Sequence, residues 1–137
     1  MAIKKSWLDK LNENKEPKIK RIDIDFADIP SGSNMLIPTP KLIDKYIQGI
    51  GVGKRINIKT LRKDLAIAHN ADYTCPVTTG IVLRIVAEAN YEKLQEGKRF
   101  EEITAFWRVI EPNSALAKKL TFGQDFLLQQ IEKECVI

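Results

Sequence analysis

The sequence predicts a mainly helical α+β fold built around a helix-turn-helix, and three observations carry that reading. Two stretches with apolar residues at helical spacing, Ile58 to Ala68 and Pro76 to Ala89, flank the polar turn Asn70-Ala71-Asp72. Between Phe106 and Ile110 the chain turns aromatic and β-branched, the composition of a strand. A length of 137 residues with 44% hydrophobic content suits one domain with a single core.

Taken in order, Ser6 before Trp7, Leu8 and Leu11 predicts a short capped helix whose Trp7 and Leu8 anchor it on the main body. From Asn12 to Ser33 the pattern is that of an extended arm. Alternation at Ile22, Ile24 and Phe26 permits a short strand there, whereas Pro17, Pro30 and the Ser31 to Ser33 turn cluster interrupt it. Thr39 before Pro40 reads as an N-cap and first-turn proline for a helix carrying Leu42, Ile43, Tyr46 and Ile47, ending near Gly49. Gly51 and Gly53 predict a tight turn into a short strand at Lys54 to Ile56.

Asn57 then caps a helix that turns Ile58, Leu61, Leu65 and Ala68 inward and Lys59, Arg62 and Lys63 outward. His69 reads as its C-terminal cap. Pro76, preceded by Thr74 and Cys75, opens the next helix, with Val82, Ile85, Val86 and Ala89 inward, running through Tyr91 and Leu94 to Gly97. Phe106 to Ile110, bounded by Pro112-Asn113-Ser114, fits a strand entering a turn or wing. Gln124 to Glu134 is a final amphipathic helix using Phe126, Leu127 and Ile131. The whole is a winged-helix-like helix-turn-helix domain over 38–137 with short strands, preceded by an N-terminal helix and extended arm over 1–37.

Charge is unevenly spread. Residues 1–70 hold 14 Lys/Arg against 8 Asp/Glu, and the rest hold 8 against 10, so the basic excess lies where Lys54, Arg55, Lys59, Arg62 and Lys63 cluster. That points to an anionic partner. The start of the second helix of the pair, Thr78-Thr79-Gly80, is small and polar, which suits close approach to a sugar-phosphate backbone. Met1 to Trp7 lacks the apolar run of a leader, and no window approaches a membrane span. With only Cys75, Cys135 and one histidine, the sequence predicts no disulfide framework and no metal site, and a reducing cytoplasm is the expected setting. Gly49, Gly51 and Gly53 follow a helix rather than a strand, so no nucleotide cofactor is expected.

Two segments carry a family resemblance over roughly Pro38 to the C-terminus. Ile50-Gly51-Val52-Gly53-Lys54 is similar to an Ile-Pro-x-Gly-Lys turn, and Trp107-Arg108-Val109-Ile110 to the His-Arg-Val-Ile of a Pro-Cys-His-Arg-Val-Ile motif. In that order and spacing the chain resembles the DNA-binding domain of the O6-alkylguanine-DNA alkyltransferases, and most of all their alkyltransferase-like members that lack the acceptor cysteine.

The resemblance implies a protein that binds duplex DNA through its helix-turn-helix, with a link to DNA repair and without catalysis. It places Phe106 at the acceptor cysteine and Trp107 at the activating histidine, and neither side chain can attack an alkyl carbon or relay a proton. Glu134 matches the family's glutamate in the last helix, where surface charge is its expected role. Ile58 falls where the family has its phosphate-pushing tyrosine, and Ile81 or a neighbour where it has its arginine finger, which argues against base flipping. Lys54, Arg55, Lys59, Arg62, Lys63, Thr78, Thr79, Gly80 and Arg84 are the expected DNA contacts. Phe106 and Trp107 are expected in the core rather than stacked on bases. A protein-interaction module, docking a partner through the N-terminal arm with Trp7 and Leu8, is the alternative. Residual alkyl transfer to Cys75 has little chemical support, because no histidine except His69 is close in sequence.

Overall fold

The computed structural model describes residues 6–135. Residues 1–5, part of the segment inspected above for a leader, and residues 136 and 137 of the expected second region lie outside the described residues. The architecture is a mainly helical α+β fold. Among the described residues no helix is long and apolar enough to cross a membrane.

Helix α1 (Trp7–Leu11) starts at a capping box: the Ser6 hydroxyl accepts the Asp9 amide at 3.0 Å, and the Asp9 carboxylate accepts the Ser6 amide at 3.2 Å. Glu92 also accepts the amides of Trp7 and Leu8, each at 3.1 Å, so a distant carboxylate sits at the positive end of this short helix. Trp7 and Leu8 pack on the protein's own core, as the anchor reading expects.

The stretch expected as an extended arm is instead built into a sheet. Strand β1 (Lys18–Arg21) pairs antiparallel with β2 (Asn34–Ile37), Lys18 opposite Ile37 and Arg21 opposite Asn34. The strand precedes the Ile22-Ile24-Phe26 alternation. Ile22 is buried but Ile24 is exposed, because the chain turns at Phe26 to form a bridge with Ile29. On the other side of β2, strand β3 (Tyr73–Thr74) pairs in parallel, giving the order β1-β2-β3. A parallel pair needs a long crossover. Here helices α2 and α3 supply it.

Helix α2 (Pro40–Gln48) is capped by Thr39 and ends at Gly49. Helix α3 (Ile58–Ala68) is capped by the Asn57 side chain, which accepts the Thr60 amide at 2.8 Å, and ends at His69. Its buried face is Leu61, Leu65 and Ala66. Ala68, expected inward, is exposed. No strand forms at Lys54 to Ile56. A turn holds that segment instead, tied down by the Ile56 amide donating to the Arg108 carbonyl at 2.9 Å.

Helix α4 (Pro76–Gln95) is the central element, with α1 and α2 packed along it. Leu83, Val86 and Ala89 face the main core with Ile43, Ile47 and Leu61, while Ala87 faces a second cluster formed by the C-terminal third. Covered on both sides, this helix buries even Glu88 and Asn90. Gly97, at φ +99°, ends it in a conformation that other residues resist.

The strand expected at Phe106 to Ile110 is absent. Phe106–Arg108 is a turn of 3-10 helix, and Phe106, Trp107, Val109 and Ile110 are all buried. Aromatic and β-branched residues fit a strand when one face is solvated. Here burial on every side decides the conformation. Helix α5 (Ala115–Lys119), capped by Ser114, and helix α6 (Gln124–Cys135) complete the chain.

Candidate nucleic-acid interface

The expected contacts fall into four places. Lys59, Arg62 and Lys63 lie together along the outer face of α3, on a groove of about 540 Å³ that Tyr73, Thr74, Asp28 and Asp72 also line. Gly80 and Arg84 line a second groove of about 520 Å³ between α4, Trp7, Leu116 and Lys119. Thr78 opens on a third, about 780 Å³, against Lys10, Lys15 and Lys18. Lys54 and Arg55 stand apart on the glycine turn.

Not all of these side chains are free. Arg62 is committed to the fold: its Nη1 and Nη2 donate to the two oxygens of Asp28, both at 2.9 Å, and its Nε donates to the Thr74 carbonyl at 2.9 Å. The Thr74 hydroxyl returns a bond to the Arg62 carbonyl, so the pair staples α3 to β3. The Arg62 hydrogen bond holds the Asp28 carboxyl below the ordinary range.

Arg55 pairs with Glu111 at 2.9 Å in an exposed bridge, which contributes little to stability. Arg84 lies 3.6 Å from the buried Glu88 carboxylate and 5.2 Å from the centre of the Trp7 ring. Thr79, expected at the interface, is fully buried, and its hydroxyl donates to the Cys75 carbonyl at 2.7 Å. By contrast Lys54, Lys59 and Lys63 are exposed and make no ion pair among the described residues.

The two segments that carry the family resemblance meet in space, and Glu134 joins them. Arg108 Nη2 and Nε donate to the Glu134 carboxylate at 2.6–3.1 Å, while Nη1 donates to the Ile50 carbonyl at 2.6 Å. The Gly53 amide, presented by a glycine at φ +79°, points at the same carboxylate at 3.4 Å. Glu134 is therefore no surface charge: its side chain, like that of Arg108, is only 13% exposed.

Burial pushes the Glu134 carboxyl up, but the bonds from Arg108 and the proximity of the Trp107 N–H outweigh it and hold the group below its usual range. Trp107 Nε1 is buried and meets no acceptor at hydrogen-bonding geometry, so its influence on Glu134 is through space.

Phe106 and Trp107 are core residues, as expected. Phe106 is fully buried among Trp107, Phe122 and Phe126, with ring centres 5.3–5.8 Å apart. Cys75 is buried at the start of α4, where its sulfur accepts the Thr78 hydroxyl at 3.3 Å and the Thr78 amide at 3.4 Å. Among the described residues no group of three ligating side chains could hold a metal.

Three carboxylates with structural tasks had no local signal. Asp28 reaches Arg62 across 34 positions, Glu92 reaches α1 across 85, and Glu88 accepts the Thr121 amide and hydroxyl across 33. Compared with models of protein families, with curated proteins and with solved structures, the chain matches none.

Proposed function

We propose that this is a non-catalytic DNA-binding protein of the alkyltransferase-like type, which holds duplex DNA through phosphate contacts. The observation that carries the reading is the meeting of Ile50–Lys54, Trp107–Ile110 and Glu134 at one part-buried node. Those three pieces were singled out by their likeness to one family's motifs, and a chance likeness gives no reason for them to converge. The frame is then a winged-helix-like helix-turn-helix of that family, without the strand expected at Phe106 to Ile110.

Within that frame α3 and the start of α4 supply the DNA surface. Lys59 and Lys63, one helical turn apart and unpaired, are the principal phosphate contacts, with Lys54 and Arg55 a separate pair on the glycine turn. Arg62 positions α3 rather than touching DNA. The chemistry of the family is lost because Phe106 and Trp107 replace its thiol and imidazole, and Phe106 fills the space between the neighbouring rings. Two unpaired thiols fit a reducing cytoplasm.

A protein-docking surface is a second reading, favoured by Val77 and Ile81 of α4, which are 56% and 59% exposed. Trp7 and Leu8, partly buried against the chain's own core, keep part of their surface exposed, and Trp7 lines the groove beside Gly80 and Arg84.

The test is a Lys59→Gln/Lys63→Gln variant titrated against a labelled duplex. Each phosphate that is no longer neutralised makes the dependence of log K on log salt shallower by about 0.9, so a change of nearly 2 is expected, with weaker binding to every sequence. An unchanged slope would exclude the α3 surface.

A further inference from the structure

We propose that the N-terminal strand β1 is a second phosphate-binding element, gripping the nucleic-acid backbone beside the start of α4. The inference rests on the reading of the protein as a duplex binder and assigns part of that interface to a segment outside the family resemblance.

Of the six arginines, five are held in ion pairs: Arg55 with Glu111, Arg62 with Asp28, Arg84 with Glu88, Arg99 with Glu101 and Glu102, and Arg108 with Glu134. Arg21, on β1, is the one that makes none among the described residues. Its strand neighbours Lys18 and Lys20 make none either. All four residues of β1 are exposed, so the strand places no side chain in the core, and its burial gives no account of its composition.

Geometry ties this charge to the helix-turn-helix. β1 is an edge strand of the sheet, and Lys18 lines the same 780 Å³ groove as Thr78 and Ile81 of α4. Lys10 and Lys15 stand on that rim as well. Of the two rim carboxylates, Glu13 is paired with Lys15 at 2.7 Å, which leaves Glu16 facing the cations. Lys18 and Lys20 project from the same face of the strand, about 7 Å apart, with Arg21 on the other face. Two unpaired lysines at that spacing match successive phosphates of a backbone, which a fixed polyanion offers and a single small anion does not. Charged residues on an edge strand also block pairing with other chains, and the experiment separates that task from ligand binding.

The measurement is duplex binding by fluorescence anisotropy across a salt series for the parent, a Lys18→Gln/Lys20→Gln/Arg21→Gln variant, and the Lys59→Gln/Lys63→Gln variant, with sedimentation of each. Because β1 side chains are exposed, the strand variant should keep the parent's circular dichroism and melting behaviour. The expected result is binding weakened about tenfold or more at low salt, with a slope shallower by about 0.9 for each phosphate left without its cation.

A strand variant that binds like the parent, while the α3 variant is weakened, would overturn this inference and leave the duplex-binding reading intact. A strand variant that only gains self-association would overturn it in the same way. A parent that fails to bind duplex at low salt would overturn both. A polyglutamate peptide that competes as well as unlabelled duplex would show that the strand selects acidic protein, and would overturn the nucleic-acid assignment.

Discussion

Truncation of Phe106 to alanine is expected to destabilise the fold by about 3–5 kcal/mol, enough to remove much of a small domain's stability. The side chain is fully buried in the C-terminal cluster, against three of its rings. Its ring stacks on Phe126 at 5.8 Å, meets Trp107 edge-on at 5.3 Å and lies 5.6 Å from Phe122, which in turn stacks on Tyr91 of α4 at 4.2 Å. Alanine would leave a cavity walled by rings that cannot collapse together without shifting α6 against α4. Phe106→Leu keeps most of the volume and should cost far less. Urea unfolding of the three proteins checks this, and a loss below about 1 kcal/mol for alanine would mean that the cluster repacks freely.

The second large effect is expected at Arg108. Removing one partner of a buried pair strands the other charge, at about 3–5 kcal/mol, and Arg108→Ala also leaves the Ile50 carbonyl without its donor. The loss reaches three segments at once, since the glycine turn, the 3-10 turn and α6 share this node. Replacing both partners, as in Arg108→Met/Glu134→Met, should restore much of the stability, because no unpaired charge then remains. Equal losses in the single and double variants would show that the pair acts by packing rather than by charge.

The same node gives a pH dependence. The folded-state pKa of Glu134 lies below its usual 4.5, burial being outweighed chiefly by Arg108. Its contribution is therefore complete above about pH 4.5 and is lost as pH falls toward the folded-state value. In Glu134→Gln that part of the acid sensitivity should disappear.

Capping explains what was legible in the sequence. Ser6, Thr39 and Asn57 each bond an amide three residues on, so the residue type and its local position suffice to find the start of a helix. Gly49 and His69 mark helix ends for equally local reasons. What was hidden depends on distant partners. β1 is a strand only because residues 34–37 lie beside it.

The Phe106 segment has strand composition, yet it is enclosed between α4 and α6, where no second strand offers it a ladder. At the candidate interface, Lys59 and Lys63 could be read from helical spacing. That Arg62, between them, is turned to Asp28 could not, because a carboxylate 34 residues away leaves no local trace. Likewise Thr79 has the character of an N-terminal surface residue and is buried because α4 is covered on both sides.

Binding of the unmodified protein to an undamaged duplex, followed from about 50 to 200 mM salt, addresses the proposed function most directly. The expected result is clear binding at the low end, falling steeply and log-linearly as salt rises, with no mass added to the protein after incubation with O6-alkylguanine DNA. Absence of binding at the lowest salt, or a covalent mass increase, would contradict a non-catalytic, phosphate-binding frame.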